Sequence, residues 1–191
     1  MQIMRMTYDN FDKDGYAILH VYGVGNYRVF SGQNPYTNLA NCAFRPNSAI
    51  PVGKYWIVDR PVGSRTNQFR AWVGDLITGN DHSEWFGLFS AQTMTDSILI
   101  NGVLRGSFRL HPLRPDGGGL SQGCITFVDR NDFYIVRQTL LRTSKVKVPG
   151  SRSGLLAYGY VDVQGSRDYA SCEVHYEFIT ICGMFSFCLM A

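Results

Sequence analysis

The sequence predicts a mostly β domain, a β-rich member of the α+β class with one main helix. Three observations lead there. Twenty glycines, eleven tyrosines and twelve phenylalanines in 191 residues suit short strands interrupted by many turns. Two β-rich stretches carry glycine-containing turn signals, at residues 23–26 and at Asn101-Gly102. A clear helical spacing of apolar residues occurs once, within 129–142.

Taken in order, residues 16–30 read as a hairpin, closed by a loop at Ser31-Gly32-Gln33-Asn34-Pro35. Asn38, Asn41, Pro46 and Asn47 make 36–48 turn-rich, with room for one short helical stretch. Ile50-Pro51-Val52-Gly53 then leads into a strand over 54–59, where aromatic and β-branched residues concentrate. Glycines punctuate 60–97, and Trp72, Trp85 and Phe86 are expected in the core or a cleft. Strands at 97–100 and 106–110 are expected to pair across Asn101-Gly102. Phe133, Val136, Leu140 and Leu141 give the helix its apolar face, with Asp129 or Asn131 as its cap. Late strands are expected at 145–148 and 157–163. After Gly165 the chain is polar to His175, and 178–191 is an apolar block rich in Cys, Met and Phe, too short to cross a bilayer. The organisation is a domain over 1–165 and a C-terminal extension over 166–191. The extension is read as a last element packed on the core or an appended segment, with a lid as the alternative.

Composition excludes several classes of function. Hydrophobic residues make up 45% and charged residues 17%, which suits a packed core rather than disorder. The net charge of +3 comes without a Lys/Arg stripe interleaved with aromatics, so nucleic-acid binding is not expected. No apolar run follows a basic start, so no signal peptide is expected; the protein stays in the cytoplasm or leaves by a route that reads no such signal. Neither is a membrane span expected. Five cysteines with no C-x-x-C pair and four scattered histidines lack zinc spacing. Cys42, Cys172, Cys182 and Cys188 read as buried thiols or disulfide partners, and His20, His82 and His175 as structural or surface residues.

The chemical signal is Phe108-Arg109-Leu110-His111-Pro112 followed by Leu120-Ser121-Gln122-Gly123-Cys124-Ile125. A free thiol is mostly protonated near neutrality, and an adjacent imidazole turns it into a nucleophile. The glycine-rich run Arg114-Pro115-Asp116-Gly117-Gly118-Gly119 lets the chain double back and bring His111 to Cys124. Gly123 permits a tight turn at the nucleophile, where amide N–H groups can meet a substrate oxyanion. Ser121 either donates a hydrogen bond at the site or fixes the turn. Arg109 and Arg114 are candidates for pairing with substrate carboxylates, against the reading of solvated surface arginines.

These residues resemble a known signature. Ser121-x-Gly123-Cys124-Ile125 with upstream His111 is similar to the L,D-transpeptidase (YkuD-type) motif, and the Pro51–Tyr55 turn resembles one found earlier in that fold. With Ser31-Gly32 and Asn38-Leu39 added, the pattern over about 15–163 most resembles the L,D-transpeptidase-related type VI secretion effectors, small antibacterial toxins. The sequence departs from the housekeeping enzymes in a shorter His-to-Cys loop, Pro112 after the histidine, Gln122 before Gly123 and Thr126 after the nucleophile. The resemblance implies a YkuD-like fold with its main helix after the nucleophile. It implies Cys124 as nucleophile and His111 as base, oriented by a backbone carbonyl that Pro112 retains, with Ser121 and Gly123 at the site and Arg109, Gln122 and Arg114 facing the substrate.

The implied substrate is a peptidoglycan tetrapeptide stem, from which terminal D-alanine is cleaved or exchanged through a cysteine thioester, a chemistry that needs no metal or organic cofactor. The implied partners are a cognate immunity protein and secretion components, with action in the target periplasm. The rivals are a housekeeping wall-remodelling enzyme, a wall-binding module without activity, and a papain-like peptidase, whose nucleophile region nothing here resembles.

Overall fold

The computed structural model describes residues 1–60, 84–114 and 121–172. Trp72, His82, Asp116, the Gly117–Gly119 run, His175, Cys182, Cys188 and the apolar block at 178–191 lie outside the described residues. The elements are β1 (Gln2–Phe11), β2 (Ala17–Val21), β3 (Gly25–Phe30), β4 (Gly53–Asp59), β5 (Phe86–Ser90), β6 (Ser97–Ile100), β7 (Val103–Gly106), β8 (Arg109–Pro112), β9 (Ile125–Phe127), α1 (Arg130–Arg142), β10 (Val146–Lys147), β11 (Leu156–Ala157) and β12 (Gly159–Gln164). The described residues also include two short 3-10 turns, Ala40–Cys42 and Tyr169–Ser171.

Among the described residues, eight strands close into a barrel in the order β1-β12-β4-β5-β8-β9-β3-β2. Most neighbours are antiparallel; β1–β12 and β8–β9 run parallel. Closure leaves the barrel itself without an open strand edge, and its inward side chains join the larger of two buried apolar clusters. Alternation places the core residues: Met4, Met6 and Tyr8 on β1, Leu19 and Val21 on β2, and Val161 and Val163 on β12 all point inward. The mostly β expectation with one main helix holds. β1 was not expected from the sequence; its Met4/Met6/Tyr8 alternation against Arg5, Thr7 and Asp9 is the period-two signal that marks it.

α1 starts where Asp129 caps it, its carboxylate accepting from the Asn131 N–H at 2.7 Å. Asp129, and not Asn131, is therefore the cap. Phe133, Val136 and Leu140 are fully buried, and the helix rests on β8 and β9. Leu141, counted with that face from spacing, is exposed instead.

The Asn101-Gly102 turn is where the sequence puts it, with φ of 47° and 78° at the two positions, as a type I′ turn requires. The strand after it differs from expectation. β7 pairs with β6 at once over Val103–Gly106, and β8 is a separate barrel strand. The break falls at Ser107, whose φ of 61° no strand can hold. β6 and β7 thus form a hairpin outside the barrel, beside the β8–β9 pair.

Candidate functional site

β8 and β9 lie parallel with Leu110 opposite Ile125 and His111 opposite Thr126. Leu110 and Ile125 face the core, so His111 and Thr126 face outward, and Cys124, two residues before Thr126, shares that face. His111 and Cys124 line one open cleft of about 630 Å³, bounded on one side by β7. That volume lies within the range of small-ligand sites. Arg109, Arg114 and Gln122 line the same cleft, so it gathers the sequence candidates His111, Cys124, Arg109, Arg114 and Gln122 in one place.

His111 is held on three sides. Its Nδ1 lies 2.8 Å from the carbonyl oxygen of Pro112. A carbonyl can only accept, so Nδ1 carries the proton and Nε2 of the neutral ring keeps its lone pair. Thr126 Oγ1 sits 3.3 Å from Nε2. Trp85 stacks on the ring, with centroids 4.2 Å apart and planes 17° from parallel. Glu84, the residue before Trp85, is held from α1: the Tyr134 hydroxyl donates to its Oε2 at 2.8 Å, and Arg137 Nε donates to its carbonyl at 3.3 Å. Arg130 holds the strand after the histidine by donating to the Leu113 carbonyl at 2.6 Å.

The turn before β9 is built around Ser121 and Gly123. Ser121 is fully buried; its hydroxyl donates to the Cys124 carbonyl at 2.7 Å and accepts from the Gly32 N–H at 3.0 Å. With both roles taken, Ser121 fixes the turn rather than pointing at a ligand. Ser31 supports it from below, accepting the Ile50 N–H at 2.7 Å, while its own N–H donates to Asn38 Oδ1 at 2.9 Å. The Ser31-Gly32 and Asn38 elements of the motif are therefore the floor of the Cys124 turn. Gly123 has φ of +102°, and a Cβ there would lie 2.7 Å from Arg105 Nη2 and 3.0 Å from the Phe108 ring. No other residue fits at this position without moving both.

Burial pushes the Cys124 thiol up to about 11, opposed by the Arg109 backbone N–H and then by the charges of Arg109 and Arg105. Its sulfur lies 3.9 Å from the Ser107 carbonyl. At neutral pH the thiol is protonated at rest, so an attack needs a base to take its proton.

Four arginines, Arg60, Arg105, Arg109 and Arg114, line the cleft, and among the described lining residues there is no carboxylate. Arg109 pairs with Asp96 at 2.9 Å and donates to the Phe108 carbonyl, so its guanidinium is already engaged. Gln122 is exposed, and its carbonyl accepts from Arg105 at 3.4 Å. His20 lies on the β2–β3 hairpin surface beside Tyr22 and Asn26, away from the cleft. Among the described residues no group of three or more His, Cys, Asp or Glu side chains is placed to hold a metal ion. Arg60, Arg105, Ser107 and Thr126 are among the residues at the site that the sequence did not point to, and Trp85, expected in the core or a cleft, stacks on His111.

The Tlde1 domain model matches residues 25–151, about two thirds of the chain, from β3 through the cleft and α1. The chain belongs to the Tlde1 domain family. Tlde1 domains are type VI secretion effectors with antibacterial action, which implies secretion by that system and a cognate immunity protein. The Tlde1 match contains both His111 and Cys124 and leaves β1, β2, β11 and β12 outside it. Comparison with curated proteins gives no match. No helix among the described residues is long and apolar enough to cross a membrane.

Proposed function

We propose that this protein is a cysteine-dependent L,D-carboxypeptidase and L,D-transpeptidase acting on peptidoglycan tetrapeptide stems in the periplasm of target bacteria. The observation that carries the reading is the paired geometry of the β8–β9 face: a histidine with Nδ1–H committed to Pro112 shares a cleft with a buried thiol. His111 Nε2 takes the proton from Cys124 Sγ as the sulfur attacks the carbonyl of the third stem residue. The amide bond to D-alanine breaks, its nitrogen receives the proton back from His111, and a thioester remains on Cys124. Water attacking the thioester gives the tripeptide; the amine of a free D-amino acid gives the exchanged tetrapeptide. Backbone N–H groups of the 123–124 turn meet the oxyanion.

The arginine lining supports an anionic substrate, and a tetrapeptide stem offers carboxylates at its terminus and its diamino acid. Arg114 is the candidate to meet one of them, since Arg109 is engaged with Asp96. The immunity protein is expected to occlude this cleft. The reading is tested by digesting purified disaccharide-tetrapeptide and identifying products by mass spectrometry. Loss of the D-alanine mass is expected, or its exchange when a second D-amino acid is supplied. Cys124→Ala and His111→Ala should each reduce turnover by more than about a thousandfold while remaining folded. Wild-type product formation by either variant sinks the assignment.

A further inference from the structure

We propose that Arg105 is a positioning residue for Cys124: its guanidinium clamps the turn that carries the nucleophile and, alongside Arg109, supplies positive charge against which the thiolate forms. The inference rests on the nucleophile reading above and assigns a role to a residue outside the motif.

Arg105 sits on β7, outside the barrel, yet is only 6% exposed. Its fork reaches inward to the 43–48 loop. Nη1 has three acceptors around it, the Ala43 carbonyl, the Arg45 carbonyl at 2.8 Å and Ser48 Oγ at 2.5 Å, so one of its two N–H groups is shared. Nη2 donates to the Ser48 carbonyl at 3.0 Å and, at 3.4 Å, to the carbonyl of Gln122. One side chain thereby joins the hairpin, the 43–48 loop and the 121–124 turn. The space a side chain would need at Gly123 is occupied by this guanidinium and by Phe108, whose ring centre lies 5.9 Å from the Arg105 Cζ.

Every partner of the fork is neutral. Among the described residues Arg105 forms no ion pair, whereas Arg109 nearby has Asp96. A buried charge without a counter-charge is costly, and hydrogen bonds to carbonyls offset only part of that. The cost falls when a negative charge appears beside it, as it does when the Cys124 proton moves from Sγ to His111 Nε2. Arg105 and Cys124 line the same cleft, and the Arg109 charge and then the Arg105 charge favour the ionised thiol. The arrangement holds a fixed cation beside the place where negative charge develops, so little reorganisation is needed as it forms.

The two parts of the role separate in Arg105→Lys and Arg105→Met, made in the full-length protein. Lysine keeps the charge and loses the fork; methionine loses both. Two readouts are compared: alkylation of Cys124 by iodoacetamide at pH 8, quantified on the Cys124 peptide, and tetrapeptide turnover. Arg105→Met should be alkylated about tenfold more slowly than wild type, the effect of one unit in thiol ionisation. Arg105→Lys should stay within about threefold of wild type in alkylation, while turnover falls at least about tenfold in both variants. Equal alkylation of folded Lys and Met variants overturns the charge role, and wild-type turnover by either overturns the clamp. If the methionine variant does not fold, the lysine variant alone decides: reduced turnover with near-wild-type alkylation supports the inference, and unreduced turnover overturns it. Retained turnover in Cys124→Ala would instead strike the nucleophile reading and this inference together. Equal Lys and Met alkylation in a protein whose Cys124→Ala variant is inert would strike this inference alone.

Discussion

At Gly123 two constraints coincide. Its φ of +102° suits only glycine without strain, and the space beside its Cα is taken by Arg105 and Phe108. A methyl group there has to displace a clamped guanidinium or a buried ring. Gly123→Ala is therefore expected to cost about 1–3 kcal/mol of stability and to reduce turnover by more than about a hundredfold, because the sulfur moves with the turn. Thermal unfolding and tetrapeptide turnover check this; a variant matching wild type in both would mean the turn is not held as described. His111, Gly123 and Cys124 were picked out by their resemblance to a known signature, since a Cys and a His thirteen positions apart are a weak signal by themselves; the structure puts His111 and Cys124 on one cleft. Ser121 was legible as a position but not as a choice, since only its two hydrogen bonds decide that it fixes the turn. Arg105 carried no local signal at all. Its partners lie at 43–48 and at 122, and nothing in Val103-Leu104-Arg105-Gly106 reports contacts made that far along the chain.

The element that bears on the site from furthest away is the pair of 3-10 turns joined by the Cys42–Cys172 disulfide. Asn41 Nδ2 also donates to the Ser171 carbonyl at 2.6 Å, and Phe44 meets Tyr169 edge-on at 5.9 Å. Residues 166–172 are thus fastened to the loop whose carbonyls receive Arg105. Cys42 and Cys172 were expected to be buried thiols or disulfide partners, and their geometry makes them partners. The sequence separation of 130 residues is large, so opening the link restores much freedom to the unfolded chain. Cys172→Ser is expected to lower stability by about 2–4 kcal/mol, with a matching fall in Tm when the wild-type protein is reduced. An unchanged Tm under both conditions would show that the link adds no stability. Among the strands, β2, β3, β4, β6 and β12 were readable from β-branched or aromatic runs, as was the helix, its cap left between Asp129 and Asn131; β5 and β9 were not read. β1 was not read, because methionine is a weak strand former and its parallel partner β12 comes from the far end of the chain. The β7–β8 boundary was misplaced because it depends on the backbone conformation of Ser107, not on composition.

At the scale of the molecule, the described residues form a closed barrel with a cationic cleft on its outer face, and a protonated thiol and a tautomerically fixed histidine line that cleft. The Tlde1 match covers the wall of that cleft, while β1 and β12, which close the barrel, lie outside the matched segment. An effector that acts on the wall should harm a cell only from the wall's side of the inner membrane. Expression directed to the periplasm of a susceptible bacterium is expected to reduce viability and deplete tetrapeptide stems, and cytoplasmic expression to do neither. Equal killing from the cytoplasm with the wall unaltered would point to another target. The central claim, that Cys124 forms a covalent bond to the stem peptide, is tested most directly by intact-protein mass spectrometry after rapid acid quenching of the protein with tetrapeptide. The account predicts a gain equal to the substrate mass less D-alanine, mapped to Cys124 and absent from Cys124→Ala. Turnover by the wild-type protein with no such adduct at any quench time, and undiminished in Cys124→Ala, would contradict it.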